Sequence, residues 1–196
     1  MYKKQMTIQR ILCLVAIIAS VVVFLYSLGI MTDLYDSLYD TMPDPRHVEI
    51  TDVEGSIVYY NMQGFNRQLL MGSIGMILLG AFLFVTNTHI RRRYYAGNFV
   101  ATGAYAAASV ALTVFSHVNI EIYKAQFLQI DFDALRDFAD LWGTLYTDST
   151  FWFDAHYVVF GILMAAAVLL VLNACWKVSL MKQEAKLVEV GRRSAA

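Results

Sequence analysis

Residues 98–119 read NFVATGAYAAASVALTVFSHVN and contain no Asp, Glu, Lys or Arg. A helix crosses a bilayer in about 20 residues, so this stretch is long enough to span one. Its apolar content is mostly Ala, Gly and Val, with a single Leu and no Ile. Small residues let membrane helices approach closely, which matters where lipid supplies no hydrophobic force between helices. With side chains three and four apart sharing a face, Gly103, Ala107 and Ala111 line up as a small-residue seam. Thr102, Tyr105, Ser109, Thr113 and Ser116 line up on a second face. The expectation is a central helix that touches neighbours on two sides. The hydroxyls can bond back to their own helix, and the competing reading makes them a functional polar track.

The surrounding chain fits a membrane protein. It has 196 residues, 58% of them hydrophobic, with a net charge of −1, and its mean hydropathy is +0.51. That is too apolar for an ordinary soluble domain, and no basic excess attracts nucleic acid. Three further apolar stretches flank the central one, giving spans at about 11–31, 69–88, 98–119 and 157–176. The first is too long for the apolar core of a signal peptide and is read as a retained anchor. Gly72 and Gly75 in the second span, and Gly161 and Ala165 in the fourth, are further packing candidates.

Charge sets the orientation. Lys3, Lys4, Arg10, Arg91, Arg92, Arg93, Lys177, Lys182, Lys186, Arg192 and Arg193 fall on one side of the spans, and only Arg46, Arg67, Lys124 and Arg136 on the other. The positive-inside rule then places both termini in the cytoplasm and two long loops, 32–68 and 120–156, outside. A charged tail follows from 177 to 196 and reads as a helical continuation that frays at Gly191. The whole reads as a single all-α membrane domain of 1–196, a four-helix bundle with a small external cap built from the two loops. The bacterial plasma membrane is the expected location.

In the first loop, DLYDSLYD (33–40) extends the first helix until Pro43 and Pro45, and the strands HVEIT and SIVYY suggest a hairpin over 47–60. In the second loop, 131–146 reads as an amphipathic helix capped by Asp131, with Leu135, Phe138, Trp142 and Leu145 on one face. No cysteine lies in either loop, so the loops must hold each other, with Trp142 as anchor. Trp142, Phe138, Trp152 and Tyr60 are the candidate partner-binding aromatics; a membrane-interface belt plus a small core is the competing account. Cys13 and Cys175 lie near the inner ends of their spans and read as reduced thiols.

His117 and His156 close the third span and precede the fourth, with Glu121 and Asp154 nearby. Two histidines and two carboxylates can hold a divalent metal. Without tight ligand spacing, interfacial histidines bonded to backbone or water are the preferred reading, and no metal is assigned. Nor is any catalytic or cofactor motif read: G-x-S-x-G, H-E-x-x-H and a phosphate loop are all missing.

By topology the chain resembles claudins and tetraspanins, but it lacks the loop cysteines of either family. TIQRILCL (7–14), YSLGIMTDLYDSLYD (26–40), NMQGFNRQ (61–68) and WGTLYTDSTFWFDAHYVVF (142–160) resemble a group of bacterial four-span proteins that accompany carbohydrate ABC-transporter permeases. The resemblance implies a membrane-protein partner and no chemistry. The expected function is therefore a non-enzymatic accessory or assembly subunit. A small transporter or channel, and a metal-binding protein using His117 and His156, are the alternatives.

Overall fold

A computed structural model describes residues 2–30, 53–89, 94–142 and 146–194. Every regular element among them is a helix: α1 (Tyr2–Gly29), α2 (Val58–Asn87), α3 (Ala96–Phe127), α4 (Phe132–Trp142) and α5 (Phe151–Ser194). Four of these are long and apolar enough to cross a membrane, with mean hydropathies of 2.9, 2.3, 1.6 and 2.6 in chain order. The lowest belongs to α3, as its Ala, Ser and Thr content requires. At about 1.5 Å per residue, even the 28 residues of α1 exceed the roughly 30 Å hydrocarbon layer. The helices therefore run past the predicted spans, and in α5 the tail simply continues the helix.

The contacts divide into two compact units. The first comprises 1–20, 75–110 and 162–196, and the second 21–74 and 111–161. Each of the four long helices contributes a segment to both.

Tyr105 centres the first unit. It is fully buried, and its hydroxyl donates to the Ala16 carbonyl of α1 at 2.7 Å. Ser20 donates to the same carbonyl at 2.8 Å, leaving the two hydroxyls 3.0 Å apart. Gly80 brings α2 to the same point: a Cβ there would lie 3.3 Å from Ile17 and 3.6 Å from the Tyr105 ring. Nearby, Asn173 of α5 donates to Gln9 of α1, and Gln9 donates to Cys13 Sγ at 3.4 Å. Asn87 of α2 reaches the Asn98 carbonyl at the start of α3, 3.4 Å away.

In the second unit α1 and α5 meet where Tyr26 donates to the Trp152 carbonyl at 2.8 Å. Gly29 leaves room for the Trp152 ring, since a Cβ there would lie 2.2 Å from it. A cluster of aromatics packs on the buried Phe127 ring: Tyr59 edge-on at 6.0 Å, Phe132 at 5.2 Å and Phe153 at 5.0 Å. Against it lies α4, with Leu135 and Ala139 buried and Asp133, Arg136, Asp137 and Asp140 exposed. Asp131 caps this helix through a bond from the Ala134 amide at 3.0 Å. The turn before α2 bonds to the same junction, Asp131 N to Glu54 O at 3.3 Å. Gly55 makes this possible at φ +85, a conformation that costs glycine little, with its added Cβ 3.1 Å from the Ile130 backbone.

One expectation fails. Val58–Tyr60, read as the second strand of a hairpin, opens α2 instead. Alternating β-branched and aromatic residues suit a strand, but Tyr59 here faces inward on a helix that continues for 30 residues. The other strand, the DLYDSLYD repeat, Arg91–Arg93, Leu145 and the Trp142 side chain lie outside the described residues.

The geometry around Tyr105 predicts two stability effects. Gly80→Leu should cost about 1–3 kcal/mol by overpacking, and Tyr105→Phe about 0.5–1.5 kcal/mol through its lost hydrogen bond. Both should appear as lower thermal midpoints of the detergent-solubilised protein.

Candidate functional site

The predicted packing residues separate into distinct environments. Gly72 of α2 takes up Leu112 of α3, whose Cδ1 would be 2.8 Å from an added Cβ. By contrast, Gly103, Ala107 and Ala111 are exposed, as are Gly75, Gly161 and Ala165, and nothing lies within 4 Å of a Cβ built at Gly75, Gly103 or Gly161. Among the described residues, then, α3 does not pack through its small-residue seam. The hydroxyl face turns inward instead: Thr102, Tyr105, Ser109 and Ser116 are all buried. Thr102 and Ser109 bond to carbonyls one turn back, at 2.9 and 2.8 Å. A hydroxyl satisfied by its own helix can face the interior at little cost, whereas Gly and Ala are neutral toward either side.

The outward seam adjoins a recess. Ala106 and Val110 of α3, one turn from Gly103 and Ala107, form with Met164, Ala167, Val168 and Val171 of α5 an apolar groove of about 200 Å³. Of the aromatic candidates, Tyr60 is 41% exposed and Phe138 is partly exposed. Trp152 packs against α1 at Tyr26, 6.2 Å between ring centroids, and so belongs to the fold.

A second group of residues gathers between α3 and α5 in the second unit. His117 Nδ1 lies 2.9 Å from His156 Nε2. Glu121, one turn after His117, places Oε1 3.9 Å from His156 Nε2. One donor atom from each residue falls within 4.8 Å of the others. His156 is 1% exposed, Glu121 is partly exposed and His117 is exposed. The Nδ1 of His156 contacts the Phe153 carbonyl of its own helix. Tyr157 stacks 4.0 Å from the His156 ring and donates its hydroxyl to Glu121 Oε1 at 2.7 Å. Asp154 joins a different arrangement, accepting from Lys124 and, at 2.7 Å, from Thr150.

Two features here were missed by the reading of sequence alone. The His117–Glu121 spacing of four residues sets both side chains on one helix face and was available as a signal. Tyr157, which orients the carboxylate, carries no mark of that role in sequence.

Lys177 was read as part of a charged tail, but it is 2% exposed. Its ammonium has no hydrogen-bond partner among the described residues and lies 5.4 Å from the centre of the Phe99 ring. No protein-family model, curated protein or solved structure matches the chain.

A buried cationic group without a partner destabilises, and an apolar residue of similar volume often improves such a site. Lys177→Met is therefore expected to raise the thermal midpoint, and Gln9→Leu, which removes the acceptor of Asn173, to lower it.

Proposed function

We propose that the protein is a multi-pass subunit of a bacterial plasma membrane that works by packing against another integral membrane protein. The observation that carries this reading is the outward seam of Gly103, Ala107 and Ala111 beside the α3–α5 groove. Lipid does not require small side chains on a helix surface, whereas a facing helix does. The occupant fitting the recess is a transmembrane helix, with its own side chains set against Ala106 and Ala167. The resemblance to companions of carbohydrate ABC transporters makes a permease subunit the first partner to test. Both termini lie in the cytoplasm in this reading, and α4 with the turn at 53–57 forms an external cap; the Lys and Arg asymmetry supports that orientation.

A photo-crosslinking side chain at Ala107 should join the protein to one membrane protein in intact membranes. The adduct should disappear in Gly103→Leu, while the stability of that variant stays within about 0.5 kcal/mol of the parent's, since a Cβ there meets nothing within 4 Å among the described residues. Absence of a protein adduct, or an adduct indifferent to Gly103→Leu, contradicts the assignment. For orientation, single cysteines at Ser149 and Lys186 in a Cys13→Ala/Cys175→Ala background should label oppositely with an impermeant reagent on intact cells. Ser149→Cys should react and Lys186→Cys should not; the reverse pattern overturns the topology.

A further inference from the structure

The geometry points to a transition-metal site formed by His117, Glu121 and His156, binding a borderline divalent ion of the zinc, cobalt or nickel class with coordination positions left open. Three independent features lead to this assignment.

The first is donor spacing. Ligands about 2.0–2.1 Å from a zinc ion stand roughly 3.3 Å apart in a tetrahedral arrangement and roughly 2.9 Å apart as cis neighbours in an octahedral one. The two imidazole nitrogens are already 2.9 Å apart. The carboxylate oxygen at 3.9 Å from His156 Nε2 must close by about 0.6 Å to join a tetrahedral ion, or by about 1 Å to join an octahedral one. Glu121 is partly exposed, so its side chain has room to do so.

The second is orientation. A metal-binding histidine usually donates its remaining ring N–H to a carbonyl or carboxylate, which fixes its tautomer. The Phe153 carbonyl does this for His156 Nδ1, so the lone pair sits on Nε2 and faces His117. Glu121 is held in the same outer-shell manner by the Tyr157 hydroxyl.

The third is charge. The ion is set against the Glu121 carboxylate. Lys124, three residues after Glu121 on α3, is already committed to Asp154, so it does not repel the ion unopposed.

Two imidazoles and one carboxylate favour transition metals over calcium or magnesium, which prefer all-oxygen shells. Three protein ligands leave at least one position for water or an exchangeable ligand. Because His117 and Glu121 come from α3 and His156 from α5, the ion also ties those two helices together.

The test uses the full-length protein without a polyhistidine tag, stripped with chelator and held in detergent. Cobalt(II) titration should give visible ligand-field absorption saturating at one ion per chain, and zinc(II) should displace it. His117→Gln, His156→Gln and Glu121→Gln should each weaken cobalt binding at least tenfold, and Tyr157→Phe about tenfold or more as an outer-shell change. His117 is exposed, so its variant tests the ligand role without a folding defect; His117→Cys should restore binding with an added thiolate charge-transfer band. Calcium should not compete. An absence of cobalt bands in monodisperse protein overturns the assignment. So does binding that survives both His117→Gln and His156→Gln, which would place the ion elsewhere in the chain.

Discussion

A backbone carbonyl that accepts two side-chain hydroxyls is the junction on which the first unit depends. Ala16 is on α1, Ser20 one turn further along it, and Tyr105 on α3. Lipid offers no water to satisfy a phenol, so a tyrosine at bilayer depth has to find a partner inside the protein. By reaching the carbonyl of a neighbouring helix, Tyr105 fixes the rotation of α3 about its own axis. That rotation sends Thr102, Ser109 and Ser116 inward and, on the opposite side, leaves Gly103, Ala107 and Ala111 facing out. Gly80 then gives α2 its close approach to the same ring. One directional interaction therefore decides which face of α3 is core and which is surface.

The same constraint separates what the sequence reveals from what it hides. The four spans were visible because uncharged apolar runs of bilayer length rarely arise outside membrane proteins. Helical continuations of the third and fourth spans were expected as well, because a helix leaving the membrane keeps its hydrogen bonds while its hydropathy falls. That is why α3 continues to Phe127 and α5 to Ser194. The two faces of α3 were visible as a periodicity, but periodicity does not say which face points inward. Small residues mark a face for close packing without saying whether the facing helix belongs to this chain, while a hydroxyl that can bond within the chain prefers the interior. The start of α2 shows a similar limit: SIVYY has strand composition, and the long apolar helix that follows overrides it. Asp131 was legible as a cap because an N-terminal aspartate has a local mechanism.

The histidine pair was legible as proximity and no more. The lengths of two spans brought His117 and His156 to the same end. The orientation of each ring, however, depends on the Phe153 carbonyl and on the direction in which α5 begins. Polar groups from α3 and α5 meet in three places within about two turns: the imidazoles, Tyr157 with Glu121, and Lys124 with Asp154.

The 44 residues of α5 form one uninterrupted helix from Phe151 to Ser194. The last part extends beyond the predicted span with Leu187, Val188, Glu189 and Val190 all exposed. A chain of 22.2 kDa is small for single-particle imaging, and this helix supplies a remedy. A soluble domain whose first helix is fused in register to α5 would be carried as a rigid extension. Each residue inserted at the joint would turn the fused domain by about 100° and advance it by about 1.5 Å. The tail is in that sense a built-in mounting post, and its register is an adjustable parameter for placing a fiducial clear of the detergent belt.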